Sequence, residues 1–185
     1  MQATNIYFVS RLVLDSMLAG NPVRSSAKPQ PYYLLADCGG TFLRLELRTR
    51  QNKILHRTDR RTAEFASLSD ALKDFFSNFN VDHKDILMCV SIAAKVLDNK
   101  VVAQSNIPWP MADGNQLKEE FGFKESVLLN DFEACAFSVP TLDFSSIATI
   151  KGEGQNPFEK SGRIKKMLLV GPGTGYGISM IVQQE

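Results

Sequence analysis

The stretch Tyr32 to Arg48, YYLLADCGGTFLRLELR, constrains the fold more than any other, because it holds two strands and the glycine turn between them. Tyr32, Tyr33, Leu34, Leu35 and Ala36 form a short apolar run that fits a buried strand and is too short for a helix. Leu43 to Arg48 then alternates strictly, which predicts a strand with one face buried and one solvated. Gly39 and Gly40 are expected to supply the positive φ angles of a tight turn and to leave backbone N–H groups open to an anion. No second spaced glycine follows and the next run has period two, so this is not the dinucleotide fingerprint, which would open a helix. A phosphate-gripping hairpin would place Asp37 at the strand end to hold Mg²⁺ or its water, and Thr41 to donate to a phosphate oxygen. An ordinary β-hairpin with a Gly-Gly turn explains the same residues, and taken alone the stretch favours it.

The pattern occurs twice. Met167 to Val170 enters a second glycine turn, GPGTGYG, from Gly171 to Gly177, and Ile178 to Val182 leaves it. Neither copy satisfies the Walker pattern, since no Gly-Lys-Ser/Thr follows. Between the copies a third strand is predicted near Ile54 to Thr58. Ser67 then opens an amphipathic helix carrying Leu68, Ala71, Leu72, Phe75, Phe76 and Phe79. Ile86 to Ala94 reads as a buried strand and Val96 to Val102 as a hairpin turning at Asp98 and Asn99. Gly114 to Phe121 suits a short helix, and Val127 to Leu129 a buried strand ending in Asn130 and Asp131. The sum is a mixed α/β sheet with an antiparallel start.

The two ends read differently. Ile6, Val9, Val13, Met17 and Leu18 share one helical face, and Gly20 to Pro22 stop the run. Arg11 and Asp15 interrupt it, so it is neither a membrane span nor a signal peptide; a packing helix is preferred to a transit peptide. Asn21 to Gln30 reads as a linker, and Lys151 to Lys166 as a polar boundary or surface excursion. The expected units are therefore residues 1–30 (helix and linker), 31–150 (main lobe) and 151–185 (boundary loop and hairpin).

With 44% hydrophobic residues the chain can bury a real core, and its net charge of +1 argues for no nucleic-acid or membrane partner. Cys38, Cys89 and Cys135 are odd in number and widely spaced, which makes neither a disulfide framework nor a zinc site and fits a reduced, cytoplasmic setting. His56 and His83 sit among charged neighbours and are expected at the surface.

Four motifs in one order carry a resemblance: LLADCGGTFLRLEL, SIAAKVLDNKVVAQSNIPWP, VLLNDFEACAFSVPTL and LLVGPGTGYGISMIV. Together they resemble the bacterial-type glucokinase family, and the match runs from about Tyr32 to the last residue. Phe42 stands where the family usually has a small polar residue, Ala94 and Lys95 replace a customary Gly-Pro, and Tyr176 replaces Leu. The resemblance implies a ribonuclease H-like fold of the actin-like ATPase and hexokinase type, a mixed sheet with flanking helices, its second lobe largely missing from this chain. It also implies ATP-dependent phosphorylation of glucose at the 6-hydroxyl, the first step of glycolysis, with ATP and Mg²⁺ as cofactors.

By the same resemblance Asp131 is the general base, and Asn106, Asn130 and Asp131 bind the sugar. Asp37, Gly39, Gly40, Thr41, Gly173, Thr174 and Gly175 hold the nucleotide, with Asp37 toward the metal. Asn130 and Asp131 also suit a helix N-cap after a strand, and the flanking motifs tip the reading to catalysis. Trp109 fits plain core as well as a sugar contact. The expected partners are glucose and ATP, with a homo-oligomer or a complementing chain as further candidates. The alternative is a non-catalytic remnant that binds sugar or nucleotide as a regulator or partner subunit.

Overall fold

The computed structural model describes residues 31–77, 79–104, 106–139, 148, 166–172 and 176–182. The helix expected near Ile6 to Leu18, the linker after it and most of the polar stretch from Lys151 lie outside the described residues.

Five strands make the main sheet: β1 (Tyr32–Cys38), β2 (Phe42–Arg48), β3 (Ile54–Arg61), β4 (Ile86–Ile92) and, further on, β7 (Glu125–Asn130). Their order is β3-β2-β1-β4-β7. The β1, β2 and β3 strands run antiparallel, while β4 is parallel to both β1 and β7. This is the mixed sheet with an antiparallel start that the sequence pattern predicts. All seven residues of β4 are buried, as an inner parallel strand covered on both faces must be.

One face of the sheet packs Leu34, Ala36, Leu45, Met88 and Val90 against Leu68, Ala71, Leu72 and Phe75 of α1 (Leu68–Ser77). Ser67 starts this helix as expected, its Oγ accepting the Asp70 N–H at 3.0 Å. The helix stops at Ser77, so Phe79 packs on the core from beyond its end, its N–H donating to the Phe76 carbonyl. The opposite face gathers Tyr33, Leu35, Leu87, Cys89 and Leu129 against Ala134 of a helix that follows β7 directly.

Between β4 and β7 lie a two-stranded hairpin, β5 (Lys95–Leu97) and β6 (Lys100–Ala103), and α2 (Gly114–Phe121). The hairpin turns at Asp98 (φ 50°) and Asn99 (φ 63°), the pair of left-handed residues a tight antiparallel turn requires. Asn99 then does more than turn. Its Nδ2 donates to the Ser126 carbonyl at 2.9 Å and its Oδ1 accepts the Leu128 N–H at 2.8 Å, so one amide satisfies the outer edge of β7. Asp113 caps α2 through the N–H groups of Asn115 and Gln116, and Gly122 at φ 70° ends it.

The structure corrects three expectations. The alternate face of β2 is not solvated: Glu46 is 0% exposed. Arg48 donates to its Oε1, and Arg57 lies 3.8 Å from its Oε2, so the buried carboxylate is offset by two guanidinium groups. The histidines are not plain surface residues either. His56 is half-buried against Phe75 and Phe79, and His83 against Phe76 and Phe123, with its Nδ1 2.9 Å from the Phe121 carbonyl oxygen. Finally, β3 runs on to Arg61 as a charged edge strand, a form that discourages pairing with other chains.

A second hairpin, β8 (Lys166–Pro172) and β9 (Tyr176–Val182), forms a sheet of its own. Its register pairs Leu168 with Met180, Val170 with Ile178 and Gly171 with Gly177.

Candidate functional site

The parallel strands β1, β4 and β7 all end on the same side of the sheet, the place where open α/β sheets leave a crevice for ligands. A cleft of about 650 Å³ lies there, lined by Ala93, Ala94, Asn106, Asn130, Asp131 and Phe132, and across from them by the hairpin residues Gly171, Tyr176 and Gly177. The structure thus brings Asn106, Asn130 and Asp131 together. Asp37, Gly39, Gly40 and Thr41 do not line the cleft but adjoin it, because Gly40 packs against Asn106. Gly173, Thr174 and Gly175 lie outside the described residues.

Asp131 opens α3 (Asp131–Ser138), with Asn130 as N-cap. Asn130 Oδ1 accepts the N–H groups of Phe132 (2.9 Å) and Glu133 (3.3 Å). Its Nδ2 donates to the Ala94 carbonyl (3.0 Å) and to Asp131 Oδ1 (2.9 Å). The cap and the candidate catalytic pair are therefore one arrangement rather than rival readings. Asn130 spends both ends of its amide on bracing its neighbour. Asp131 Oδ1 also accepts the Phe132 N–H at 3.0 Å, whereas Oδ2 meets no donor among the described residues.

Asp37 is held differently. Arg44 bridges it to Asp59, with Nη1 2.9 Å from Asp37 Oδ2 and Nε 3.2 Å from Asp59 Oδ2. Burial pushes the Asp37 carboxyl above its ordinary pKa, Arg44 pulls it back, and the nearby carboxylates of Asp131 and Asp59 add to the rise. Next to it, burial lifts the Cys38 thiol to about 12, and Cys135 is raised for the same reason, so neither is an active nucleophile at neutral pH.

The first glycine turn departs from expectation. Neither Gly39 nor Gly40 has a positive φ, and the Gly39 N–H donates to the Phe42 carbonyl at 2.9 Å instead of staying open. What Gly40 supplies is room: a Cβ there would lie 2.8 Å from the Asn106 carbonyl oxygen. Among the described residues no acceptor meets the N–H groups of Gly40 and Thr41, so two donors of the turn remain for a ligand.

Two residues support the turn, and of these only Thr62 carries no signal in the sequence. Thr62 is fully buried, its Oγ donating to the Gly39 carbonyl at 2.7 Å and its N–H to that of Thr41 at 3.0 Å. Trp109, left open between core and sugar contact, is core. Its indole N–H donates to the carbonyls of Phe65 (2.8 Å) and Thr62 (3.1 Å), and the Trp109 carbonyl accepts from Gln104 Nε2. Turn, Thr62, Trp109 and the Asn106 loop form one braced unit.

A carboxylate braced at the end of a buried strand, a glycine turn adjoining it, a hairpin across the cleft and a mixed five-stranded sheet define a lobe of the actin-like ATPase and hexokinase fold. The glucokinase family model matches residues 34–185, and the chain belongs to that family. Glucokinase of Colwellia psychrerythraea is 29% identical over 161 residues, 86% of this chain and 46% of that protein. Glucokinase of Saccharophagus degradans is 30% identical over 156 residues, 80% of this chain and 44% of that protein. The chain thus spans less than half the length of these curated relatives. A crystal structure of glucokinase from an Antarctic psychrotroph superposes with a TM-score of 0.64 at 27% identity, covering 84% of this chain and 47% of that one. A ROK family glucokinase of Streptomyces griseus, solved with glucose and AMPPNP, shares the fold at 18% identity and a TM-score of 0.51, over 82% of this chain and 44% of that one. Among the described residues no helix is long and apolar enough to cross a membrane, and no cluster of three or more His, Cys, Asp or Glu could hold a metal ion.

Proposed function

We propose that this chain carries the sugar-facing half of a glucokinase site, which transfers the γ-phosphoryl of ATP to the 6-hydroxyl of glucose in the first step of glycolysis, in the cytoplasm. The observation that carries the reading is Asp131 beside the cleft, whose Oδ1 is fixed by Asn130 and Phe132 while Oδ2 meets no donor among the described residues. Asp131 takes the proton of the 6-hydroxyl as that oxygen attacks the γ-phosphorus, and the bond to the bridging oxygen breaks to leave ADP. Asn106, on the braced loop, and Asn130 position the sugar. The open N–H groups of Gly40 and Thr41 face phosphate, with Gly173, Thr174 and Gly175 as the second grip.

Mg²⁺ would neutralise phosphate charge here. It is commonly held by one or two carboxylates together with phosphates and water, which suits Asp37 as a single carboxylate. Because Arg44 engages Asp37 Oδ2, Asp37 would act through its other oxygen or a water.

Transfer of this kind relies on positioning and exclusion of water by two lobes, so the 185-residue chain alone is expected to bind ligands without useful turnover. Calorimetric titration with glucose and AMPPNP tests binding. A coupled assay of glucose-dependent ADP release, on the chain joined to the C-terminal remainder of a curated relative, tests catalysis. Asp131→Asn is expected to lower kcat by about 10²- to 10⁴-fold in that assembly with its fold intact. Binding of neither ligand would sink the proposal, and unchanged turnover in Asp131→Asn would sink the role of Asp131.

A further inference from the structure

Gly171 and Gly177 face each other across the β8–β9 ribbon, one on each strand, and neither needs to be glycine for its backbone conformation, since neither has a positive φ. Space explains both. A Cβ on Gly171 would lie 2.3 Å from Phe132 Cζ, and one on Gly177 would lie 1.8 Å from Phe132 Cε2. The pair leaves a hollow in the ribbon, and the phenyl ring of Phe132 fills it. That ring belongs to the residue directly after Asp131, and its backbone N–H is accepted by both Asn130 Oδ1 and Asp131 Oδ1. One cap therefore fixes the carboxylate on one side and the ring that seats the hairpin on the other.

We propose that Phe132 and the glycine pair Gly171 and Gly177 form a keyed seat that sets the spacing between Asp131 and the ribbon carrying the second glycine turn. Phe132 is a positioning residue: it acts on the reaction through where it holds that ribbon. The nucleotide arm of this inference rests on the reading given under Proposed function; the seat itself does not.

A double-mutant cycle on the full chain tests it. Gly177→Ala is expected to speed amide exchange across β8 and β9 about tenfold when Phe132 is present, but less than about twofold in a Phe132→Ala background, where the added methyl has room. AMPPNP affinity follows the same non-additive pattern, which a loss of general stability would not produce. Gly171→Ala, on the other strand, repeats the cycle should Gly177→Ala fold poorly. Equal factors in the two backgrounds overturn the seat. If the unaltered chain binds no AMPPNP, the nucleotide reading falls, and the exchange cycle alone decides whether the seat exists.

Discussion

The two glycine hairpins share one sequence grammar, an apolar run, a glycine turn and a second apolar run, and end in opposite physical situations. In the β1–β2 hairpin each strand has another neighbour, β4 on one side and β3 on the other, and most of its residues are buried. Among the described residues the sheet of the β8–β9 hairpin has two strands. Leu168, Ile178 and Met180 are each 62% exposed, and Val170 and Val182 are about half exposed, all on one face. Local pattern makes a hairpin, but only neighbours bury it, and a two-stranded ribbon is marginal in water by itself. The first copy is scaffold and the second presents an exposed apolar face.

The sharpest way to break that comparison is to truncate matched leucines. Leu45→Ala in β2 should cost about 2–5 kcal/mol in urea unfolding, whereas Leu168→Ala in β8 should stay within about 0.5 kcal/mol. Similar losses would mean that the second hairpin is as deeply packed as the first. A smaller effect probes the third hairpin, β5–β6, which is also two-stranded yet is pinned to the main sheet. Asn99→Gly keeps the left-handed turn and removes only the amide, leaving the Ser126 carbonyl and Leu128 N–H unpaired, for a loss of about 1–3 kcal/mol. If stability is unchanged, edge satisfaction is not what fixes that hairpin. The smallest effect concerns the exposed face. Leu168→Ser is expected to leave the unfolding midpoint in place while reducing binding of an apolar dye, and unaltered dye binding would place the sticky surface elsewhere.

Much of this was legible because it is periodic or punctuated. The alternation of Leu43 to Arg48, the unbroken run from Ile86 and the Asp98-Asn99 turn each sit where the pattern puts them. The missing information is of another kind. Thr62 lies 23 residues from Gly39, and nothing in its own neighbourhood announces that it will brace the turn. Gly40, Gly171 and Gly177 read as turn-formers because a sequence shows which residues lack a side chain, whereas the reason they lack one is an atom from another segment. Asn130 and Asp131 illustrate the converse. Two readings that compete on paper, cap and site, are compatible once the hydrogen bonds are traced.

Buried Glu46 bears on how faithfully the chain assembles. Side chains along β2 alternate between leucines on the α1 face and Arg44, Glu46 and Arg48 on the other, so a slip by one residue would drive charged groups among the leucines. The buried carboxylate thus penalises a shifted register, which would part it from Arg48 and Arg57 and leave its charge uncompensated. Among the described residues no buried charge lies along β8 and β9, whose apolar residues occur on both faces and would tolerate a shifted alignment. There the error check is one of shape, in which a phenyl ring accepts only the alignment that sets two glycines side by side.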